Sequence, residues 1–158
     1  MEGVLRVAVA CDHAGFLLKK LVIETIEMLG FEVVDFGAFD DKSVDYPDFT
    51  FFAGKAIENQ EVDRAVIICG SGIGASITAN KIKGVYAAVC HDTYTARQGV
   101  EHDGMNALCI GARVIGEELA KDIIISFLNA QLDLDARHQR RREKIKAIEN
   151  GNFKIITK

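Results

Sequence analysis

Several absences narrow this sequence before any motif is read. No apolar run approaches the roughly 20 residues a membrane-spanning helix needs, so a soluble chain without a membrane partner is expected. Positive charge is not in excess. The 19 Lys and Arg stand against 23 Asp and Glu, a net charge of −4, and the chain as a whole is no electrostatic binder of nucleic acid. The first residues, Met1-Glu2-Gly3-Val4, lack the basic segment and apolar core of a secretory signal, so the expected location is the cytoplasm. The cysteines Cys11, Cys69, Cys90 and Cys109 are far apart and form no CxxC pair. That spacing fits reduced thiols and not a disulfide framework. His13, His91, His102 and His138 show no metal-ligand spacing, so no metal is expected. There is one proline, Pro47, and no repeat or low-complexity segment marks a linker. The 158 residues therefore read as a single domain, 1–158, around one core.

What the chain does have is a set of short apolar runs rich in Val, Ile and Ala. They predict strands at 4–11, 31–36, 64–69, 85–90 and 107–110, with Arg6 fitting only near the start of the first. Helical spacing fills the gaps. Leu18, Leu21, Val22, Thr25 and Leu29 form one face, and Gly30 is a natural stop. A polar loop over 37–48 contains Asp45-Tyr46-Pro47-Asp48, and Asp48 is placed to cap a helix over 49–59. Asp92 or Thr93 caps a helix over 94–102. Residues 117–128 are helical with Leu119, Ile123 and Phe127 inward, and a strongly charged helix covers 133–149 before Gly151. Strands that are nearly all apolar and alternate with helices predict a parallel sheet covered on both faces, an α/β fold. In such sheets ligands bind beyond the carboxyl ends of the strands. The polar residues gather there: Asp12 and His13, the 69–74 loop, His91 and Asp92, and Gly111-Ala112-Arg113.

The most informative stretch is Cys69-Gly70-Ser71-Gly72-Ile73-Gly74, directly after the third apolar run. A glycine loop between strand and helix turns backbone N–H groups toward one point, an arrangement that binds anions. A thiol at the edge of such a nest is more acidic than a free one. The stretch thus offers a base or nucleophile beside an oxyanion or phosphate site. Three other readings stand beside this one. Gly70-x-Gly72-x-x-Ala75 with Asp92 downstream fits a dinucleotide fingerprint, although it follows the third strand and leaves little room for a substrate domain. The loop could also be a tight turn with no ligand, and Cys69 a small buried hydrophobe like the other three cysteines. No Gly-Lys-Ser/Thr follows, so it is not a Walker loop. Asp12 is read equally as a helix cap. His102 ends a helix, where a histidine suits the dipole. The basic tail 137–144 is a solvated face, or a phosphate fork in which Arg137 and Arg141, four apart, point the same way.

Taken together, Cys11-Asp12-His13-Ala14-Gly15, Asp45-Tyr46-Pro47-Asp48, Ile68-Cys69-Gly70-Ser71-Gly72-Ile73-Gly74, Ala79-Asn80-Lys81, Gly111-Ala112-Arg113 and Arg137-His138-Gln139-x-Arg141 form an ordered series. In this series the chain resembles the type B ribose-5-phosphate isomerases, which share a superfamily with the galactose-6-phosphate isomerase subunits. The resemblance runs nearly end to end. It implies a Rossmann-like three-layer α/β/α sandwich with a five-stranded parallel sheet and a C-terminal charged helix, about 133–150, packing on a partner subunit. It also implies a homodimer or tetramer with sites built from both subunits, no metal or organic cofactor, and interconversion of ribose 5-phosphate and ribulose 5-phosphate. By the same resemblance Cys69 is the base, and the N–H groups of Gly70, Gly72, Ile73 and Gly74 hold the enediolate. Ser71, where threonine is usual, shuttles a hydroxyl proton. His102, helped by Asp12, opens the furanose ring, and Tyr46 lines the sugar site. His13, Arg113, Arg137 and Arg141 bind phosphate. Asp103 departs from the family's asparagine. It cannot donate when ionised, and is expected to turn toward a cation or a sugar hydroxyl. A six-carbon substrate, allose or galactose 6-phosphate, and a non-catalytic sugar-phosphate sensor are the alternatives.

Overall fold

The apolar runs become five strands, β1 (Arg6–Cys11), β2 (Glu32–Asp35), β3 (Arg64–Cys69), β4 (Ala87–Val89) and β5 (Ala107–Gly111). Six helices alternate with or follow them: α1 (Phe16–Met28), α2 (Tyr46–Glu58), α3 (Ile73–Ala79), α4 (Thr93–Asp103), α5 (Glu117–Asn129) and α6 (Ala136–Glu149). The computed structural model describes residues 4–155. The strands lie in the order β2-β1-β3-β5-β4, and every pairing is parallel. No helix among the described residues is long and apolar enough to cross a membrane.

Alternation along the strands divides the core into two layers. Val7, Val9, Val66, Ile68, Leu108 and Ile110 pack with residues of α1, α4 and α5, among them Val22, Ile26, Val100, Ile123 and Phe127. Each such fully buried side chain contributes roughly 1.5–3 kcal/mol. The opposite face carries Ala8, Ala10, Ala65 and Ala107, which meet Ala53, Ala56, Ala75 and Ala79 of α2 and α3. These small side chains allow close packing on this face, and Cys69 shares it. The result is the expected three-layer sandwich. β1 leaves through α1 on one face and β3 leaves through α3 on the other. The divergence opens a crevice between the carboxyl ends of β1 and β3, the usual ligand position in an open parallel sheet.

Several expectations are corrected. α2 starts at Tyr46, before the predicted 49, with Asp45 rather than Asp48 at its N-cap and Pro47 in its first turn. Proline is suited there because its fixed φ is helical and its missing N–H would have no partner. α3 starts at Ile73, so Gly74 belongs to a helix and the true loop is only 70–72. Gly72 makes the turn with φ +81°. Asp92 is the cap of α4, accepting from the Thr95 N–H at 2.7 Å, and Asp135 caps α6 through the Arg137 N–H at 2.9 Å. Leu119 is 40% exposed, because the buried stripe of α5 runs through Ala120, Ile123, Ile124 and Phe127. Lys19, absent from the predicted helical face, is buried, with its ammonium on Asp35 Oδ2 at 2.8 Å and the Ala38 carbonyl at 2.6 Å. α6 buries only His138.

Candidate active site

The crevice forms a cleft of about 360 Å³ whose lining includes Asp12, His13, Tyr46, Cys69, Ser71 and Arg113. Cys69 ends β3, and its Sγ accepts a hydrogen bond from the Gly72 N–H at 3.0 Å. The positive φ of Gly72, a conformation that costs glycine nothing, folds the loop back so that this N–H meets the sulfur. Ser71 Oγ accepts from the Ile73 N–H at 3.2 Å. Two of the backbone donors assigned to an anion hole are thus already aimed at the cysteine and the serine. The turn after β5 clamps the same loop: the Ala112 N–H donates to the Cys69 carbonyl at 2.9 Å and the Arg113 N–H to the Gly70 carbonyl at 3.0 Å. The Arg113 guanidinium lies over Gly70, where an added Cβ would sit 3.3 Å from Nη1. Gly74 faces the Tyr46 ring so closely that a Cβ there would lie 2.6 Å from Cε2.

Asp12 is buried, and its Oδ1 accepts from the Gly15 N–H at 3.0 Å; it holds the turn before α1, whose N-cap is Gly15 and not Asp12 as the capping reading expected. His13 Nδ1 lies 3.2 Å from both the N–H and the carbonyl of Val44. The ring can therefore accept from one or donate to the other, and Nε2 makes no hydrogen bond among the described residues. The other three cysteines do not line the cleft. Burial pushes the Cys11 thiol up to about 11, and burial also raises Cys90 and Cys109. All three stay protonated near neutrality.

The remaining predicted residues do not line this cleft. His102 ends α4 and stacks on His138 of α6, with ring centroids 3.9 Å apart and planes 14° from parallel. Gln98 Nε2 is 2.9 Å from His102 Nδ1 and 3.4 Å from Asp103 Oδ2. Asp103 therefore sits beside an amide, where a cation or sugar hydroxyl was expected. Arg137 Nε donates to His138 Nε2 at 3.2 Å. Burial, then the neighbouring His102 and Arg137, holds His138 below the usual histidine range, in keeping with a neutral, accepting ring. Arg141 is exposed and makes no hydrogen bond or ion pair among the described residues. Arg142, which looked like a solvated tail residue, ties α6 down: Nη1 reaches the His102 carbonyl at 3.0 Å and Nη2 the Asp133 carbonyl at 2.9 Å.

His102, Asp133 and His138 bring potential ligand atoms within 4.8 Å of one another, a grouping that spacing in sequence did not show. The arrangement does not suit a metal. The stacked rings keep their in-plane lone pairs in parallel planes, and a guanidinium already occupies His138 Nε2. A larger cavity, about 750 Å³, lies at the opposite end of the sheet beside Val62, Asp63, Tyr86 and Asn106. Its lining includes Glu58, Lys83, Lys146 and Glu149, and none of the site residues expected from the sequence is among them. Sequence reasoning gave no role to Gln98 or His138. The four-residue interval from Gln98 to His102 was an available signal, since such pairs share a helix face. The His102–His138 stack joins residues 36 apart and had no local signal.

Comparison with known proteins adds to this geometry. The model of a family described as Ribose/Galactose Isomerase matches residues 7–145. The chain is 42% identical over 144 residues to ribose-5-phosphate isomerase B of Escherichia coli, covering 91% of this chain and 96% of that protein. It is 37% identical over 131 residues to D-erythrulose-4-phosphate isomerase of Pectobacterium atrosepticum, covering 82% and 86%. Among solved structures, it superposes on ribose-5-phosphate isomerase B from Mycoplasma genitalium with bound ribulose-5-phosphate. The TM-score is 0.85 at 38% identity, over 92% of this chain and 97% of that one.

Proposed function

The chain belongs to the ribose/galactose isomerase family, and on that premise we propose that it interconverts ribose 5-phosphate and ribulose 5-phosphate through an enediolate. The observation that carries the reading is the Gly72 N–H on Cys69 Sγ at a cleft shared with His13, Tyr46 and Arg113. A proton beside a carbonyl is weakly acidic, so its removal needs a base and fixed donors for the oxyanion that forms. In the reading, the Cys69 thiolate takes the proton from carbon 2 and delivers it to carbon 1. The carbonyl double bond moves from carbon 1 to carbon 2. Ser71 carries the hydroxyl proton between the two oxygens, and the N–H groups of Gly70 and Gly74, joined by those of Gly72 and Ile73 as they leave Cys69 Sγ and Ser71 Oγ, stabilise the enediolate. His13 and Arg113 hold the phosphate, whose distance from the reacting carbons makes it a handle for positioning the sugar. The chemistry calls on no metal or organic cofactor.

His102, Asp103, Arg137 and Arg141 lie outside that cleft on their own chain, and a homodimer accounts for this. The α4–α6 face of one copy would bring His102 to open the furanose ring, with Asp12 of the facing copy, and the two arginines to the phosphate. On this reading 1–158 is one domain, α6 packs on the partner, and two dimers can form a tetramer in the cytoplasm. The D-erythrulose-4-phosphate relative favours a four-carbon substrate as the second reading, and the galactose branch of the family a six-carbon one. Measuring kcat/KM on aldose or ketose phosphates of four, five and six carbons tests the proposal. It requires the five-carbon pair to be preferred, and binding of sugar phosphate with no turnover of any would leave a sensor.

A further inference from the structure

We propose that His91 is a positioning residue for the cysteine-bearing loop: its neutral imidazole stands in for strand backbone and holds the Gly111 peptide on which that loop rests. The inference rests on the reading of Cys69 and its loop as the reacting groups. His91 is not among the residues that line the cleft, so it acts through others.

The argument begins with the register of the sheet edge. β4 pairs with β5 only from Ala87 opposite Ala107 to Val89 opposite Cys109. Alternate residues of β5 bond to alternate sides, as parallel ladders require. The Ala107 N–H donates to Tyr86 on the β4 side at 3.2 Å, and the Cys109 carbonyl accepts from the Cys90 N–H at 3.2 Å. Ala112 turns the other way and bonds Cys69 of β3 at 2.9 Å. The next rung on the β4 side belongs to the Gly111 N–H. There β4 has ended, and the acceptor is His91 Nε2 at 3.0 Å. Gly111 is buried, and a buried N–H without a partner is costly. A backbone N–H can only donate. Nε2 must therefore carry its lone pair, and the neutral ring has its proton on Nδ1.

Gly111 supports the loop directly. A Cβ on Gly111 would lie 2.7 Å from the carbonyl carbon and oxygen of Ser71, and a Cβ on Gly72 would lie 3.3 Å from the Gly111 nitrogen. Ser71 and Gly72 thus rest on the Gly111 peptide, and the Gly72 N–H reaches Cys69 Sγ. Losing the His91 acceptor frees Gly111 to shift, and the loop shifts with it. A displacement near 1 Å at a reacting group costs on the order of 100-fold in rate.

The test compares His91→Leu, which has no acceptor, with His91→Gln, whose side-chain oxygen reaches about as far as Nε2. His91→Leu is expected to lower kcat roughly 10- to 100-fold, with a smaller rise in KM because Arg113, assigned to the phosphate, lies two residues beyond Gly111. It should also slow alkylation of Cys69 by iodoacetamide. His91→Gln is expected to restore most of both. Leucine with full kcat, or glutamine no better than leucine, overturns the proposal. Should the leucine variant fail to fold, the wild-type protein decides. A scalar coupling between the Gly111 amide nitrogen and His91 Nε2 in nitrogen-15-labelled protein supports the bond, and its absence overturns it. If the wild type turns over no sugar phosphate, the function proposal fails, while the coupling and the Cys69 alkylation rates still decide the role of His91.

Discussion

Lys19→Met should destabilise the fold by about 2–3 kcal/mol and weaken substrate binding at a distance. The Lys19 ammonium donates to Asp35 Oδ2 at 2.8 Å and to the Ala38 carbonyl at 2.6 Å, and it lies 4.7 Å from the Phe39 ring centre. Methionine keeps the side chain's bulk and removes both bonds. Breaking one side of a buried ion pair usually costs about 3–5 kcal/mol. The cost is smaller here because the Asp35 side chain is 28% exposed, so water can reach it, and its Oδ1 keeps the Gly37 N–H at 2.9 Å. The Ala38 carbonyl is the group left poorest. For a chain of this size about 2–4 °C in Tm accompanies each kcal/mol, so roughly 5–10 °C is expected. Asp35→Asn should cost about as much, since it leaves the more buried Lys19 ammonium without a counter-charge and sets an amide NH2 against one of two donors, Lys19 Nζ or the Gly37 N–H. The 37–45 segment anchored by Lys19 leads to Tyr46, and its Val44 contacts His13, so KM should rise more than kcat falls. Urea unfolding followed by circular dichroism, with steady-state kinetics on the same samples, makes the measurement. A Lys19→Met midpoint equal to wild type would refute the reasoning.

Arg137→Ala and Arg141→Ala should each raise KM roughly 10- to 100-fold, the loss of one charge-assisted hydrogen bond. Arg140→Ala should leave KM unchanged, and equal effects at all three would point to a diffuse field instead of a phosphate fork. Arg142→Ala belongs to a different class and should lower Tm, because this side chain holds the His102 and Asp133 carbonyls. Under native conditions near neutral pH a thiol reagent should label Cys69 first, since burial raises the thiols of Cys11, Cys90 and Cys109. Earlier labelling elsewhere, read by peptide mass, would contradict the account. His138 is held below the usual histidine range, so the native state resists its protonation while the unfolded chain accepts it. Its contribution makes stability fall as pH drops below the ordinary value of 6.5 and vanishes well above it. Urea midpoints of His138→Gln should fall less on acidification than those of wild type, and an equal fall would contradict the assignment.

The strands were legible because the interiors of β1, β3, β4 and β5 are continuous apolar runs, while β2 shows only Val33-Val34 between Glu32 and Asp35. Helix starts were less so. Pro47 looked like part of a loop, and only its place in the first turn of α2 shows it as a helix starter. Glycines at 70, 72 and 74 looked alike, yet of the three only Gly72 has positive φ, and Gly74 is helical, its missing Cβ leaving room for Tyr46. Lys19 escaped because apolar periodicity ignores a cation that finds its partner 16 residues later. The cleft residues Asp12, His13, Cys69 and Arg113 were legible because strand ends converge on one edge. The His102–His138 stack and the His91–Gly111 bond were not, because each is fixed by where two distant segments meet.

The central claim is that Cys69 drives an aldose–ketose interconversion of ribose 5-phosphate. NMR of ribose 5-phosphate in heavy water, with wild-type protein and Cys69→Ala side by side, tests it most directly. The account predicts ribulose 5-phosphate from the wild type and a rate lower on the order of 10²–10⁴-fold in the variant, which still folds and binds the sugar phosphate. No ribulose 5-phosphate from the wild type, or an undiminished rate in Cys69→Ala, would contradict it.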